Sequence, residues 1–322
     1  MTSVRAEGRR PEQPPLERIV LGSRRSPLAR AQSSWVGHRL REAWPALEVA
    51  FRFLDTRGDS MVEQPLPEIG GKGLFTEALE VALEERRIDV AVHSLKDLPT
   101  EAAEAFPLVA IPEREDPRDL LVSEEARTLD ELPPGTVVGT SSLRRRAQLL
   151  RFRPDCRVEP VRGNVQTRLA RLVQGRYGAL ILAAAGLQRL GLRTEDMRAL
   201  DPPGWLPAPG QGALAVQGRS GEVAVAELLS VLDDPRTRCA TEAERALLAA
   251  LEGGCQVPIG ALARDDGSRL VLEAGVFSSD GTSSVLARGI GSRDAPAGLG
   301  HEVADRLLAR GARELLIASR DA

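Results

Sequence analysis

Short apolar stretches, each long enough for one β-strand, alternate along this chain with amphipathic stretches of helical length. The longest apolar runs, such as residues 179–185, fall well short of the roughly 18 apolar residues that a membrane-spanning helix needs. This order predicts open α/β sheets and no membrane partner. We expect strands at residues 19–22, 47–54, 88–92, 136–139, 157–161 and 179–183, and helices at residues 26–41, 74–86, 142–152 and 164–174.

The pattern changes in the last third of the chain. The 322 residues are about twice the usual size of one domain, so two or three domains are expected. A loop rich in proline and glycine at residues 207–212 leads into an apolar strand at residues 213–217, and we expect the chain to cross back there. A small α+β domain should follow, with helices at residues 237–251 and 301–310 and strands near residues 259–263, 269–277 and 284–289.

Positive charge is concentrated in one segment, although the net charge of the chain is only -3. Ten arginines lie between Arg144 and Arg176, against two acidic residues. Such a segment suits nucleic acid or a small molecule with several carboxylates, and a solvated helix face is the plain alternative. The chain has ten aromatic residues, too few for the stacking surfaces of proteins that bind single-stranded nucleic acid. Small anions are therefore the favoured ligands.

Only two of the 43 basic residues are lysines. Lys72 lies in the glycine-rich sequence GGKG, and Lys96 lies in HSLKD directly after an apolar strand. An ammonium is a compact charge on a flexible stem, unlike the planar guanidinium that the chain uses elsewhere. These two positions are therefore candidates for a site that needs that geometry, unless their placement is accidental.

Two turns between a strand and a helix have the features of an anion site. Residues 140–142 (Thr-Ser-Ser) are followed by Arg144 and Arg145 on the first helical turn, and residues 162–164 (Arg-Gly-Asn) are followed by Arg168. Ligands of α/β sheets bind beyond the carboxyl ends of strands, where helix N-termini offer free N–H groups. Ordinary helix capping is the alternative for either turn alone.

The spacing of thiols and imidazoles limits the chemistry they can do. Cys156, Cys239 and Cys255 form no close pair, which argues against a disulfide framework and a CxxC site. The three histidines are also far apart, so no metal is expected. Cys255 follows two glycines on a loop that a ligand can approach, whereas Cys239 begins a predicted helix; a buried inert thiol is the usual alternative.

The first residues differ in composition from the rest. Residues 1–16 combine arginines, glutamates and prolines and lack the apolar core of a secretory signal. We expect residues 1–17 to form a disordered tail of a cytoplasmic protein.

Ten motifs, taken together and in this order, resemble the porphobilinogen deaminase family. No single motif suffices, but the ordered set is specific and spans the chain from about residue 19 onwards. They are GSRRSPLA at 22–29, TRGD at 56–59, GGKGLF at 70–75, HSLKD at 93–97, EREDPRD at 113–119, GTSSLRR at 139–145, RGNVQTR at 162–168, LAAAGLQRLGL at 182–192, PGQGA at 209–213 and EGGCQVP at 252–258.

The resemblance implies a fold and an assembly. Two α/β domains similar to type II periplasmic binding proteins would enclose a cleft, and a small α+β C-terminal domain would carry the cofactor cysteine. We accordingly expect domain 1 at residues 18–115 and 210–234, domain 2 at residues 116–209 and domain 3 at residues 235–322. A monomer without a nucleic-acid partner is implied as well.

The resemblance also implies a reaction in tetrapyrrole biosynthesis. Four porphobilinogen molecules are condensed one by one into linear hydroxymethylbilane, and ammonia is released at each step. A dipyrromethane cofactor, joined to Cys255 by a thioether, is the primer. Each incoming pyrrole loses its aminomethyl nitrogen to give an azafulvene-like cation, which the free α-carbon of the terminal ring attacks.

Site residues follow by matching positions to the family motifs. A carboxylate beside the ring nitrogen would stabilise the developing cation, and by resemblance this is Asp97. Every ring adds an acetate and a propionate, which arginine forks bind well. The cofactor positions are Cys255, Ser94, Lys96, Asp97, Thr140, Ser141, Ser142, Arg144, Arg145 and Gln211, and the substrate positions are Arg24, Ser26, Lys72, Arg162, Arg168 and Arg189.

One position departs from the family pattern, and two other functions stay open. Glu68 stands where some members have a lysine, which puts any role of that position in doubt here. A non-catalytic protein that binds small anions would share the two-lobed fold but needs no loop cysteine and normally carries an export signal. An RNA-binding protein would explain the arginines but would be more basic than a pI of 5.9.

Overall fold

The computed structural model describes residues 13–55, 76–100, 103–194, 197–252 and 257–320. The strands in these residues are β1 (Arg18–Arg24), β2 (Glu48–Leu54), β3 (Val90–Ser94), β4 (Leu108–Ala110), β5 (Asp119–Val122), β6 (Val137–Gly139), β7 (Arg157–Glu159), β8 (Ala179–Ala183), β9 (Arg198–Leu200), β10 (Leu214–Gly218), β11 (Ile259–Asp265), β12 (Leu270–Phe277) and β13 (Ser284–Gly291). The helices are α1 (Pro27–Ala43), α2 (Glu77–Glu84), α3 (Leu143–Phe152), α4 (Val165–Val173), α5 (Ala184–Arg189), α6 (Val223–Leu229), α7 (Pro235–Ala250), α8 (Pro296–Leu308) and α9 (Ala312–Arg320), with short 3-10 turns at Leu95–Asp97 and Ser230–Leu232.

The first sheet has the strand order β2-β1-β3-β10-β4. Strand β1 runs parallel to β2 and β3, whereas β10 is antiparallel to both β3 and β4. Helix α1 covers one face of the sheet through Val36 and Leu40, and α2 covers the other through Leu79 and Leu83. The sheet is therefore buried on both sides, as expected when crossover helices connect parallel strands.

The second sheet repeats this arrangement, with the strand order β7-β6-β8-β5-β9. Strand β6 is parallel to β7 and β8, and β5 is antiparallel to β8 and β9. Separate apolar clusters fill its two faces, one including Leu121 and Leu149 and the other including Leu120 and Leu172. All five strands of this sheet lie between β4 and β10 in the chain, so the first sheet is completed only after the second.

The third sheet consists of β11, β12 and β13 in antiparallel order. Helices α7 and α8 pack against each other and against this sheet. Leu247, Leu272 and Val303 are buried in the core between them. The α/β class with a smaller α+β unit at the C-terminus, expected from the sequence, is confirmed.

Most predicted elements are present, with ends shifted by a few residues. The predicted strand at residues 157–161 ends at Glu159, because Pro160 has no N–H for a sheet hydrogen bond. Strands β4, β5 and β9 were not predicted; each has only three or four residues. Most of the predicted tail lies outside the described residues, and Leu16 packs against the core of the first sheet. Among the helices of the described ranges, none is both long and apolar enough to cross a membrane.

A buried carboxylate on α7 joins the third unit to the segments that connect the two larger sheets. Glu244 is fully buried and forms a two-point ion pair with Arg114, with N···O distances of 2.7 and 3.0 Å. It also accepts hydrogen bonds from the backbone N–H groups of Gly210 and Ala263. Arg114 lies just before β5 and Gly210 just before β10, so one side chain fixes both connections and β11.

We expect Glu244→Gln to lower the free energy of unfolding by roughly 3 kcal/mol, because it leaves the Arg114 guanidinium buried without its counter-charge. The matched control is Glu242→Gln, an exposed position on the same helix. Urea denaturation followed by circular dichroism measures both. Equal stability of the two variants would show that the pair does not hold the units together.

Candidate active site

A pocket lies at the carboxyl ends of β1 and β3, between the N-termini of α1 and α2. Leu28, Ala29 and Val92 supply an apolar wall. Its polar lining is Arg24, Ser26, Gln32, Thr76, His93, Ser94 and Asp97. The described lining therefore offers one strong cation, one carboxylate and several hydroxyl groups around an apolar surface, which suits a small, flat, polar ring.

Local sequence explains how this pocket forms. Ser26 caps α1, since its Oγ accepts a hydrogen bond from the Ala29 N–H, and Pro27 occupies the first helical position. Gln32, one turn further, donates to Ser94 Oγ at 2.8 Å and so fixes the helix against the end of β3. Asp97 is exposed at the end of the short 3-10 turn that follows β3.

A buried carboxylate organises a second group of residues, which we call the Asp119 cluster: Asp119, Arg144, Arg145, Trp205 and Gln211. Asp119 Oδ2 accepts from Arg144 Nη1 at 2.7 Å and from Trp205 Nε1 at 2.8 Å. Its Oδ1 accepts from Arg145 Nη2 at 2.7 Å, from Arg145 Nε at 3.1 Å and from Gln211 Nε2 at 2.9 Å. Five hydrogen bonds thus converge on one carboxylate that has no exposed surface.

Electrostatics explain why this carboxylate stays charged. Burial alone would raise the pKa of Asp119, but the charges and hydrogen bonds of Arg144 and Arg145 outweigh it and hold the pKa well below its usual range. Burial also lowers the pKa of Arg144. Two cations share one anion here, so the cluster keeps a net positive charge.

The two strand-to-helix turns have the geometry that the sequence predicted. Ser142 caps α3, and Thr140 Oγ1 accepts a hydrogen bond from the Ser142 N–H. Ser141 Oγ donates to the carbonyl of Val161, at the start of the second turn. Asn164 caps α4 by accepting from the Thr167 N–H at 2.9 Å. Both turns therefore lie side by side at the same edge of the second sheet.

Lys96 connects the pocket side to the Asp119 cluster. Its Nζ lies 3.5 Å from Gln211 Oε1, and the amide nitrogen of the same Gln211 binds Asp119. Burial lowers the pKa of Lys96 to about 8. The charges of Asp97 and Asp119 oppose this shift, and those of Arg144 and Arg145 add to it. Lys96 and Asp97 are neighbours in the chain, so one short turn contributes a residue to the pocket and another beside the Asp119 cluster.

Two further arginines are partly buried, with little compensating charge among the described residues. Burial and the nearby charges of Arg145 and Arg171 lower the pKa of Arg168 to about 10. Burial likewise lowers the pKa of Arg189 to about 10, although Glu115 acts in the opposite direction. Arg168 donates to the carbonyl of Gly163 and Arg189 to that of Gly212, and these partners carry no full charge. Among the residues that the structure describes, the site therefore holds more positive charge than the nearby carboxylates balance.

The structure brings most of the sequence-predicted residues into two adjoining groups. Arg24, Ser26, Ser94 and Asp97 line the pocket, while Arg144, Arg145 and Gln211 belong to the Asp119 cluster. Arg162 begins the second turn, and its carbonyl accepts a hydrogen bond from Arg171. Lys72, Glu68 and Cys255 lie outside the described residues.

Sequence reasoning missed two members of the Asp119 cluster. Asp119 appeared only as the last residue of a motif, and Trp205 was not considered. A charged residue that begins the apolar run DLLV is a signal of a buried ion pair, since an unpaired charge is rarely buried. Among the described residues, no three His, Cys, Asp or Glu side chains are grouped to hold a metal ion.

The sequence matches known proteins over almost its whole length. Residues 19–227 match a family model described as porphobilinogen deaminase, dipyromethane cofactor binding domain, and residues 238–309 match porphobilinogen deaminase, C-terminal domain. A porphobilinogen deaminase of Desulforudis audaxviator is 50% identical over 302 residues, which cover 94% of this chain and 98% of the relative. One from Xanthomonas campestris is 50% identical over 298 residues, covering 92% and 98%.

The solved structures to which the chain is similar have much lower identity. The probable amino-acid ABC transporter extracellular-binding protein ytmK of Bacillus subtilis is 13% identical, with a TM-score of 0.41, covering 67% of this chain and 90% of that chain. The OxyR2 regulatory domain of Vibrio vulnificus is 15% identical, with a TM-score of 0.42, covering 71% and 97%.

The lowered pKa of Lys96 can be measured directly, because the chain has only two lysines. Reductive methylation with ¹³C-formaldehyde labels Lys72, Lys96 and the α-amine, and Lys72→Arg identifies the Lys96 signal. We expect this signal in apoprotein to titrate near pH 8 rather than near the ordinary 10.5. Since Lys96 then loses its charge as the pH rises through about 8, anion binding should weaken above that pH. Titration near 10.5 would contradict the burial of this ammonium.

Proposed function

The chain belongs to the porphobilinogen deaminase family, and we propose that the two groups of residues described above divide the work of the family reaction between them. The protein is a transferase that condenses porphobilinogen into the linear tetrapyrrole hydroxymethylbilane with release of ammonia, and it uses a dipyrromethane cofactor. In our proposal, the pocket at β1 and β3 receives porphobilinogen, and the Asp119 cluster with Lys96 holds the cofactor. The observation that carries this proposal is the excess of partly buried positive charge beside a pocket whose described lining includes one carboxylate, Asp97.

The residues present fit a dipyrromethane. This group carries four carboxylates, and the Asp119 cluster has two guanidinium groups for one carboxylate. Arg144 Nε is buried and has no hydrogen-bond partner among the described residues, so a donor is left for a further acceptor. A bound polyanion would also compensate the charges of Lys96 and Arg168, whose pKa values burial lowers. When bound, the cofactor supplies the free α-carbon from which the product chain grows.

We assign the polar residues of the cofactor site to binding. Ser94, Thr140, Ser141, Ser142 and Gln211 would donate hydrogen bonds to cofactor carboxylates or orient the residues that do. The N-terminus of α3 adds its free N–H groups to the charges of Arg144 and Arg145. Because Arg144 and Arg145 are already held by Asp119, they present their remaining donors without having to be ordered on binding.

The substrate side of the proposal uses separate cations. Arg24 and Ser26 line the pocket and would bind the acetate and propionate of the incoming ring. Arg162, Arg168 and Arg189 lie on the side of the second sheet, where they would bind carboxylates of the growing chain. Lys72 is assigned to the same task from its motif alone, since it lies outside the described residues.

Asp97 is the proposed catalytic residue. When the C–N bond of the aminomethyl group breaks, positive charge spreads onto the pyrrole nitrogen, and a carboxylate at that position lowers the energy of the transition state. Asp97 is a carboxylate of the pocket lining, and it is held at the end of a 3-10 turn. Its neighbour Lys96 faces Gln211, so the reacting ring and the cofactor side meet at this turn.

Cys255 is the proposed attachment point of the cofactor through a thioether. Cys156 and Cys239 are both buried free thiols, and burial raises the pKa of each, which makes the nucleophilic thiolate scarce.

The proposal includes the domain division 18–115 with 210–234, 116–209 and 235–322, which the pairing of β10 with β3 and β4 supports. It also includes a cytoplasmic monomer that binds no nucleic acid.

Cys255→Ser should purify at the mass of the bare chain and be inactive, whereas the wild-type protein should exceed 34.7 kDa by the mass of two pyrroles. Intact-mass spectrometry under denaturing conditions measures this, and native spectra of the same samples report the monomer. Cys156→Ser is the matched control and should keep the added mass. Added mass in the Cys255→Ser protein would move the attachment point elsewhere.

Asp97→Asn should slow ammonia release by roughly a hundredfold or more, because it keeps the shape of the side chain and removes the charge. Asp97→Glu keeps the charge one methylene away and should be milder. Single-turnover ammonia release by holoenzyme, loaded with cofactor as checked by mass, is the measurement. The exposed Asp305→Asn on α8 is the control. If the Asn variant keeps the wild-type rate, Asp97 has only a structural role at the end of the strand.

A further inference from the structure

One buried polar side chain of the pocket has no role in the function proposed above. His93, on β3, lines the pocket with Arg24 and Asp97 and is only 7% exposed. Its Nε2 is buried and has no aligned hydrogen-bond partner among the described residues. Since nearly all buried polar atoms in proteins have a partner, this ring calls for an explanation.

Gln217 offers the His93 ring a hydrogen-bond acceptor. Both side chains lie on the same face of the first sheet, where β10 pairs with β3. The amide nitrogen of Gln217 donates to Glu80 Oε1 at 3.2 Å and to the carbonyl of Phe106 at 3.0 Å. Both amide hydrogens are thus in use, and the remaining Oε1, also buried without an aligned partner among the described residues, can only accept.

An acceptor beside the ring requires an N–H from it. The interaction with Gln217 raises the pKa of His93, and a proton on the ring nitrogen nearest to Gln217 Oε1 would serve both side chains. The other ring nitrogen then has a lone pair and is an acceptor. Burial lowers the pKa of His93 to about 4, with Gln217 raising it and Arg24 lowering it, so the imidazole is neutral at physiological pH. With this protonation the pocket contains an uncharged acceptor.

The chemistry of porphobilinogen limits what such an acceptor can bind. The acetate and propionate of the substrate are acceptors themselves and suit Arg24 and Ser26. Its donors are the pyrrole N–H, which the proposed function gives to Asp97, and the aminomethyl group, which is an ammonium at neutral pH. A second carboxylate at the ammonium would stabilise it in the ground state and oppose its departure, whereas a neutral imidazole orients it with less stabilisation.

Resting on the proposed role of Asp97, we propose that His93 accepts a hydrogen bond from the aminomethyl ammonium of porphobilinogen and so selects this leaving group and holds it away from Asp97. When the C–N bond breaks, its electron pair goes to nitrogen and neutral ammonia departs. The positive charge stays on the ring beside Asp97. His93 neither gains nor loses a proton, so it is a specificity-determining residue whose effect lies mainly in binding.

The test compares two substrates on cofactor-loaded holoenzyme: porphobilinogen and its analogue with a hydroxyl in place of the amino group. His93→Phe keeps the size of the ring and removes the acceptor. We expect KM for porphobilinogen to rise about tenfold, the range of a hydrogen bond to a charged group, and KM for the neutral analogue to rise less than about threefold. His93→Gln restores an acceptor and should recover part of the selectivity. The exposed His301→Phe is the control and should change neither value.

Equal losses on both substrates, or an unchanged KM for porphobilinogen, would overturn the assignment and leave His93 a packing residue. If the Phe variant does not fold, His93→Ala takes its place, and free imidazole should then lower KM for porphobilinogen but not for the analogue; absence of this selective rescue would likewise overturn it. The role of Asp97 is tested apart from this, because Asp97→Asn should lower kcat on both substrates while KM changes little.

Discussion

A single buried carboxylate holds the positively charged half of the site together. Asp119 has no exposed surface and accepts five hydrogen bonds, which come from the first turn of α3 and from the segment that leads back to β10. Without it, Arg144 and Arg145 would be two guanidinium groups in a nearly dry environment, where removing one partner of a buried pair costs roughly 3 to 5 kcal/mol. Because Gln211 belongs to the same network, the segment that leads from the second sheet back to β10 of the first sheet depends on this carboxylate as well.

The Asp119 cluster is neutralised only in part, and in the proposed function that imbalance favours the binding of polycarboxylates. Burial lowers the pKa values of Lys96, Arg168 and Arg189, which means that their charged forms are electrostatically unfavourable in the free protein. Bound anionic ligands would stabilise these charged forms. Part of the stability of the free protein is thus given up for affinity, as is common where a fold hosts a functional site.

Local features of the site could be predicted from the sequence, and long-range ones could not. The caps Ser26, Ser142 and Asn164 depend on residues three positions away, and each lies at the first residue of a helix that the sequence predicted. By contrast, the partners of Arg144 and Arg145 lie on β5, a strand of four residues preceded by charged residues and proline, which shows no clear period. The family resemblance marked both arginines as ligand-binding, yet it did not indicate that one carboxylate holds them. The ion pair between Arg114 and Glu244 was missed for the same reason, since 130 residues separate its partners.

In the proposed function, the short turn Leu95–Asp97 brings two chemically different tasks to one point. Successive residues of a 3-10 helix are rotated by about 120°, so neighbouring side chains must point in different directions. Lys96 accordingly reaches Gln211 and the Asp119 cluster, while Asp97 lines the pocket with Arg24 and His93. A condensation needs its two reactants within bonding distance. The protein would hold the growing chain through the carboxylates of that chain, and it would place the incoming ring beside a side-chain carboxylate that stabilises a cation. A turn of three residues with a cation and an anion at neighbouring positions would serve both reactants. The buried strand β3, which directly precedes the turn, keeps it in place.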